Sequence, residues 1–234
     1  MIFPDGPERL QTTPVSEERA VLHNTTSLYC SAEAVPPPSY QWLQEVAGTG
    51  EVRRRANTPT LQILDVWYAD QGTYRCVATN TIGGQAREIQ SDLITLDVTG
   101  PPQISSQVSK AEGVLGDQAQ LQVEFCSDPG PIRNTWQWDQ VILPSGNNYQ
   151  GQSLSISLSL SLSPLVTKLS SSDGKYSAQM NKIKGRDDCY TSTLVISQLA
   201  SEDMRAFTVL VENIHGTDTV KINLDIKGKS SPAG

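Results

Sequence analysis

Four cysteines, two histidines and one pair of adjacent aspartates carry most of the reactive or ligating chemistry in this chain. Cys30, Cys76, Cys126 and Cys189 are even in number, which suits disulfides and an oxidising compartment. His23 and His215 stand apart. Neither has a second histidine or a cysteine at metal-ligand spacing, and neither belongs to a nucleophile–acid arrangement. Asp187-Asp188, beside Cys189, reads as an exposed acidic loop rather than a cation site. Lys227-Gly228-Lys229-Ser230 lacks the earlier glycine of a phosphate-cradling loop and reads as tail. No catalytic residue, metal ligand or cofactor is assigned, and the chain is not read as an enzyme. Asn24-Thr25-Thr26 is an acceptor sequence for N-linked sugar, which places Asn24 on a surface turn.

The elements that position these residues read as strands. Leu28, Cys30 and Ala32 alternate as one buried face. Trp42 lies twelve residues beyond Cys30, and Asp70-x-Gly72-x-Tyr74-x-Cys76 supplies a tight turn and then another strand. No long helical period occurs, and short alternating runs bounded by Gly, Pro, Asn and Ser recur. A chain of 234 residues with this pattern is expected to be all-β and to form two domains. The second half repeats the frame of the first. Leu61, Ile63, Val66, Asp70, Tyr74, Cys76, Asn80 and Gly83 find Leu194, Ile196, Leu199, Asp203, Phe207, Val209, Asn213 and Gly216 at the same spacings. Val209 thus takes the place of Cys76, and Phe207 that of Tyr74 without its hydroxyl.

The ordered set from Cys30 through Trp42 to Asp70-x-Gly72-x-Tyr74-x-Cys76-x-Ala78-x-Asn80 resembles the I-set domains of the immunoglobulin superfamily over residues 1–99. Residues 100–227 resemble a divergent member of the group. The tandem layout around Gly100-Pro101-Pro102 is similar to adhesion molecules of the nephrin/irregular-chiasm and echinoid kind. The resemblance implies two Greek-key β-sandwiches and a Cys30–Cys76 disulfide packed against Trp42. It also implies a corner bond from the Tyr74 hydroxyl to nearby backbone. In such a sandwich the second and fifth strands are neighbours. Leu121, Val123 and Phe125 alternate as a buried face, so Cys126 is expected to point outward. Cys189, out of phase with Leu194 and Ile196, is expected to do the same. Outward cysteines on adjacent strands can bridge when their Cα atoms lie within about 7 Å. A Phe125–Val209 contact would then replace the missing cystine. A second reading buries Cys126, because Trp138 follows it by twelve residues as Trp42 follows Cys30. Trp136 and Trp138 share parity, and both face inward on a regular strand.

Val98-Thr99-Gly100-Pro101-Pro102 marks the boundary, giving domains 1–99 and 100–227 and a disordered tail over 228–234. One stretch breaks the pattern: Ser and Leu alternate from 153 to 163. A repeated CT dinucleotide reads in codons as alternating Leu and Ser. Residues 147–170 are therefore expected to be either an insertion in the second domain or retained intron sequence, aggregation-prone through the uncharged alternation at 153–163. The opening Met1-Ile2-Phe3-Pro4-Asp5-Gly6 does not read as a secretory leader, and no run approaches about 18 apolar residues. A fragment of a larger ectodomain, membrane-anchored elsewhere, is expected.

The net charge of −7 argues against nucleic acid or an anionic membrane surface as partner. Arg53-Arg54-Arg55 is expected in a solvated loop. No small-molecule substrate is implied. If Trp42, Tyr74, Cys76 and Ala78 point in, then Gln41, Leu43, Arg75 and Val77 point out from one sheet and form a candidate protein-binding face. The resemblance implies extracellular recognition of a protein partner, including the same protein on an apposed cell, in an adhesion or guidance receptor. The alternative is a structural segment of an intracellular muscle-type I-set array.

Overall fold

A computed structural model of the chain describes residues 9–12, 16–105, 109–145 and 174–228. The Ser/Leu stretch at 147–170 and tail residues 229–234 lie outside the described residues. The chain divides into two compact units, 1–100 and 101–234.

The first unit contains β1 (Arg9–Thr12), β2 (Glu17–Val21), β3 (Thr26–Glu33), β4 (Ser39–Val46), β5 (Val52–Ala56), β6 (Thr60–Ile63), β7 (Gly72–Ile82), β8 (Gln85–Gln90) and most of β9 (Ile94–Ile104), whose residues 101–104 belong to the second unit. One sheet runs β1-β3-β6; the other runs β9-β7-β4-β5, with β2 parallel to β9 and β8 along the far half of β7. Alternation turns Leu28, Cys30 and Ala32 of β3 and Tyr74, Cys76 and Ala78 of β7 into one core. Cys30 and Cys76 are joined across it by a disulfide, Cα to Cα 6.3 Å. Trp42 stands opposite Cys76 in register and is fully buried. Its indole N–H donates to the Pro59 carbonyl at 3.4 Å.

A buried polar corner locks the turn before β7. The Asp70 carboxylate accepts from the Trp67 amide at 2.8 Å, and the Tyr74 hydroxyl donates to the Asp70 carbonyl at 2.6 Å. Gly72 follows at φ 147°, where a Cβ would collide with the Glu45 carbonyl, so glycine is required there. The register slips between Trp42 and Leu43, which leaves Arg55 without a partner position in the β4–β5 ladder. Arg55 turns to Asp70 at 2.7 Å and to the Gln44 side chain at 2.5 Å. The Gln44 amide donates to the carbonyls of Ala69 (3.1 Å) and Gln71 (3.3 Å). Burial pushes the Tyr74 phenol well above its ordinary range. The expectation of a solvated arginine loop is corrected in part: residues 53–55 belong to an edge strand, on which Arg53 and Arg54 are exposed as expected. Arg53 pairs with Glu51 at 2.8 Å, and Arg55 is drawn into the corner.

The second unit contains β10 (Lys110–Val114), β11 (Ala119–Asp128), β12 (Arg133–Trp138), β13 (Val141–Pro144), β14 (Tyr176–Lys182), β15 (Cys189–Ile196), β16 (Ala206–Asn213) and β17 (Gly216–Lys227). One sheet runs β10-β17-β16-β12-β13, and β14-β15-β11 packs over it. Trp136 stands opposite Val209, as Trp42 stands opposite Cys76, and is the central indole of this sandwich. Trp138 lies two residues on, where the first unit has Gln44. Its ring packs on Phe207 at 5.3 Å and on Tyr176 at 4.8 Å. An aromatic corner thus replaces the polar one.

The acidic turn is kept with new partners. Asp203, fully buried, accepts from the Ala200 amide (2.8 Å), the Tyr176 hydroxyl and Lys175 (2.9 Å). The hydroxyl that Phe207 lacks is supplied from β14. Burial, reinforced by the bond to Asp203, pushes the Tyr176 phenol up to about 12. Burial also pushes the Asp203 carboxyl up, but the bonds from Tyr176, Ala200 and Lys175 outweigh it and hold the group below its ordinary value.

Cys126 and Cys189 are opposed in the β11–β15 register and disulfide-bonded, Cα to Cα 4.0 Å. Both lie on the outer side of their strands. Cys126 is half-buried, whereas Cys189 is covered. The 183–188 loop folds over it: the Ser127 amide donates to the Asp188 carbonyl at 2.7 Å, and the Ile183 amide to the Cys189 carbonyl at 2.9 Å. Asp188 is buried against Arg186, with bonds of 2.7 and 2.9 Å, so the expected exposed acidic pair holds only for Asp187.

Two outcomes follow. Val209→Asp places an unpaired carboxylate beside Trp136 at a cost of several kcal/mol and should abolish cooperative unfolding of the second unit. Cys126→Ser with Cys189→Ser removes a bridge outside the core, so the unit should stay folded and lose at most about 4 kcal/mol. Near-ultraviolet dichroism of the buried indoles reads both, and a folded Val209→Asp variant would refute the packing. A further outcome concerns pH. A carboxyl whose pKa is lower folded than unfolded stabilises above its unfolded pKa and loses that contribution as pH falls through the folded value. The second unit should therefore weaken below about pH 4. Asp203→Asn should be less stable at pH 7, with the gap to the parent closing toward pH 2 in urea titrations.

Candidate recognition face and glycan turn

The outer face of β5-β4-β7-β8 is built in rows fixed by register. Arg54, Leu43 and Arg75 form one row, and Gln41, Val77 and Gln90 the next. Inward alternation of Trp42, Tyr74 and Cys76 leaves these side chains on the far side. The Arg75 guanidinium donates to the Gln90 side chain at 2.8 Å, and the Gln90 amide donates to Glu88 at 2.7 Å. With its amide oxygen turned to β5, Gln41 accepts from Arg54 at 2.9 Å. Gln41, Leu43 and Arg75 are each half-buried. Val77 corrects the expectation of four outward-facing contact residues. It is on the outer side yet only 6% exposed, sandwiched in register between Gln41 and Gln90. What the face offers is Leu43 between two arginines, each held by a neighbouring amide.

Asn24 occupies an exposed turn that links β2, the strand beside β9, to β3 of the other sheet. Its amide donates to the Val21 carbonyl (3.0 Å) and its carbonyl accepts from Val66 (3.0 Å), which pins the backbone against the segment before β7. The Asp65 carboxylate lies between the His23 ring nitrogen (2.9 Å) and the Trp67 indole N–H (2.8 Å). The bonds from His23 and then Trp67 hold the Asp65 carboxyl below its ordinary range. The His23 ring meets the Trp67 indole edge-on at 4.8 Å. Trp67 and Leu64 were not singled out by the sequence reading. The available signal was register: Leu61, Ile63 and Val66 point inward, so Leu64 and Trp67 are apolar residues on the solvent side.

His215 is an exposed turn residue whose amide donates to the Asn213 side chain at 2.8 Å. Among the described residues, one grouping of three ligand-type side chains occurs: Cys126, Asp188 and Cys189. Both sulfurs are bonded to each other and the carboxylate is held by Arg186, so the donors are already engaged. Among the described residues no helix is long and apolar enough to cross a membrane.

Residues 7–80 match a family model described as an immunoglobulin domain. Hemicentin-2 of Mus musculus is 30% identical over 146 residues, which are 59% of this chain and 3% of that protein. Kin of IRRE-like protein 3 of Homo sapiens is 26% identical over 207 residues, 88% of this chain and 22% of that protein. The chain thus spans a small part of the length of these relatives. Among solved structures, Dpr2 Ig1-Ig2 in complex with DIP-Theta Ig1-Ig3 superposes with a TM-score of 0.53 at 19% identity. That match covers 95% of this chain and 65% of the other. The first unit carries the immunoglobulin match, and each unit is a β-sandwich closed over an equivalent indole, so the fold is that of two tandem immunoglobulin-like domains.

Proposed function

We propose that this chain is an extracellular recognition module of a cell-surface adhesion or guidance receptor. It binds a protein partner, including the same protein on an apposed cell, through the outer sheet face of its first unit. The observation that carries this is the row Arg54–Leu43–Arg75. An apolar side chain sits between two guanidiniums already held by side-chain amides, so little rotamer freedom remains to be lost on binding. Arginine beside an apolar anchor is a composition favoured at protein interfaces. The glycan turn at Asn24 joins β2, which pairs with β9, to β3 of the opposite sheet, and lies on none of the strands β5-β4-β7-β8 that form this face. Two disulfides support an oxidising compartment over the intracellular array.

Val77 is buried and unsuited to a surface test, so Leu43→Glu with Arg75→Glu is the informative variant. It should fold with an unchanged midpoint and lose clustering of beads coated with the protein, or binding to cells that display the partner. Parent-like binding by a folded variant would exclude this face. Thiol titration of the natively purified protein should find no reactive cysteine before reduction; four free thiols would overturn the extracellular assignment.

A further inference from the structure

Three of the exposed large apolar side chains of the first unit gather at one place, around the acceptor asparagine. Val21 is 50% exposed, Leu64 69% and Trp67 45%. Val21 precedes the Asn24 turn and accepts its amide, while Leu64 accepts the Thr25 hydroxyl at 2.8 Å. Val66, between Leu64 and Trp67, is paired with the Asn24 backbone. The Trp67 indole is fixed at its N–H by Asp65 and at its ring by His23, yet nearly half its surface stays open. Trp42, Trp136 and Trp138 are all buried, so this is the one solvent-facing indole of the four. An apolar group of this size, held rigidly at the surface, marks a binding site more often than a scattered surface leucine does.

We propose that the innermost N-acetylglucosamine of a glycan on Asn24 lies against the Trp67 indole and shields this patch. The inference rests on the reading of Asn24 as a glycosylated residue. A pyranose ring presents a face of C–H groups that suits an aromatic surface, while its hydroxyls and acetamide remain in water. A free sugar would occupy one indole only weakly. A sugar tethered one turn away is held at an effective concentration in the millimolar range or above, so the same contact is populated without an added partner. The sugar acts as an intramolecular ligand that binds the folded first unit and has no such surface in the unfolded chain, so it stabilises the fold by linkage.

The experiment is a cycle on protein secreted from cultured cells and trimmed enzymatically to a single N-acetylglucosamine. Mass spectrometry of the Asn24 peptide first gives occupancy. Thermal midpoints of the first-unit transition are then compared with and without sugar (parent against Asn24→Gln) in Trp67, Trp67→Ala and Trp67→Phe backgrounds. The Trp67 backbone amide, not its ring, caps Asp70, so these variants keep the turn. The sugar should raise the midpoint by about 4 °C with Trp67, by a similar amount with Phe, and not at all with Ala. Iodide quenching of the exposed indole should fall when the sugar is present. Equal shifts in all three backgrounds, or unchanged quenching, would overturn the contact while leaving glycosylation intact. An unoccupied Asn24 would overturn both, without touching the sheet-face reading tested by bead clustering.

Discussion

Each sandwich has to close over one buried indole, and the residue opposite that indole sets what else the core can be. In the first unit Trp42 faces Cys76, and the cystine to Cys30 fills the space between the sheets. In the second, Trp136 faces Val209, and no sulfur is available on that strand. Phe125, Leu194 and Val211 belong with Val209 to the buried core around that indole. A close-packed interior accepts either filling, provided volume is conserved. Freed from the core, the second pair of cysteines moves to directly opposed positions on β11 and β15, where a bridge ties two neighbours of one sheet rather than two sheets.

The exchange propagates to the acidic turn. Asp70 and Asp203 do the same local work: each accepts the amide three residues before it and so fixes the turn leading into the next strand. A buried carboxylate requires a cation and further donors. The first unit supplies Arg55, displaced inward by the register slip in β4–β5, with Gln44 bracing its guanidinium. The second places Trp138 where Gln44 would be, and the ring leaves no amide to brace an arginine. Lys175, just before β14, and the Tyr176 hydroxyl at its start arrive instead. Losing the hydroxyl at Phe207 and gaining one at Tyr176 are therefore linked: the indole of Trp138 packs on both rings.

The fold class and the central frame were legible because they rest on strand parity and fixed spacing, which the sequence displays directly. The second unit was readable for the same reason, since every step from Leu194 to Gly216 repeats one from Leu61 to Gly83. What stayed hidden depends on pairings between distant segments. Arg55 looked like one member of a basic run, and nothing local shows that a one-residue slip turns it to Asp70. Asp188 looked solvated because its backbone pairing with Ser127 on β11, which goes with its burial, is a long-range contact. Val77 has outward parity, but parity does not report that long neighbours on adjacent strands lie over it.

That last distinction bears on how a sheet face can recognise a partner at all. A flat antiparallel surface of alternating side chains has no cleft, so specificity must come from the order in which rows of different chemistry are presented. Here one row is nearly closed: Gln41 and Gln90 screen Val77, and Glu88 continues the polar line through Gln90. The adjacent row is open at Leu43 and carries a guanidinium on each side. The amides that hold Arg54 and Arg75 come from the closed row, so the polar residues that cover Val77 also aim the cations. Covering one apolar residue and presenting another are thus a single arrangement of side chains, and Leu43 can stay on the surface without an extended hydrophobic patch forming beside it.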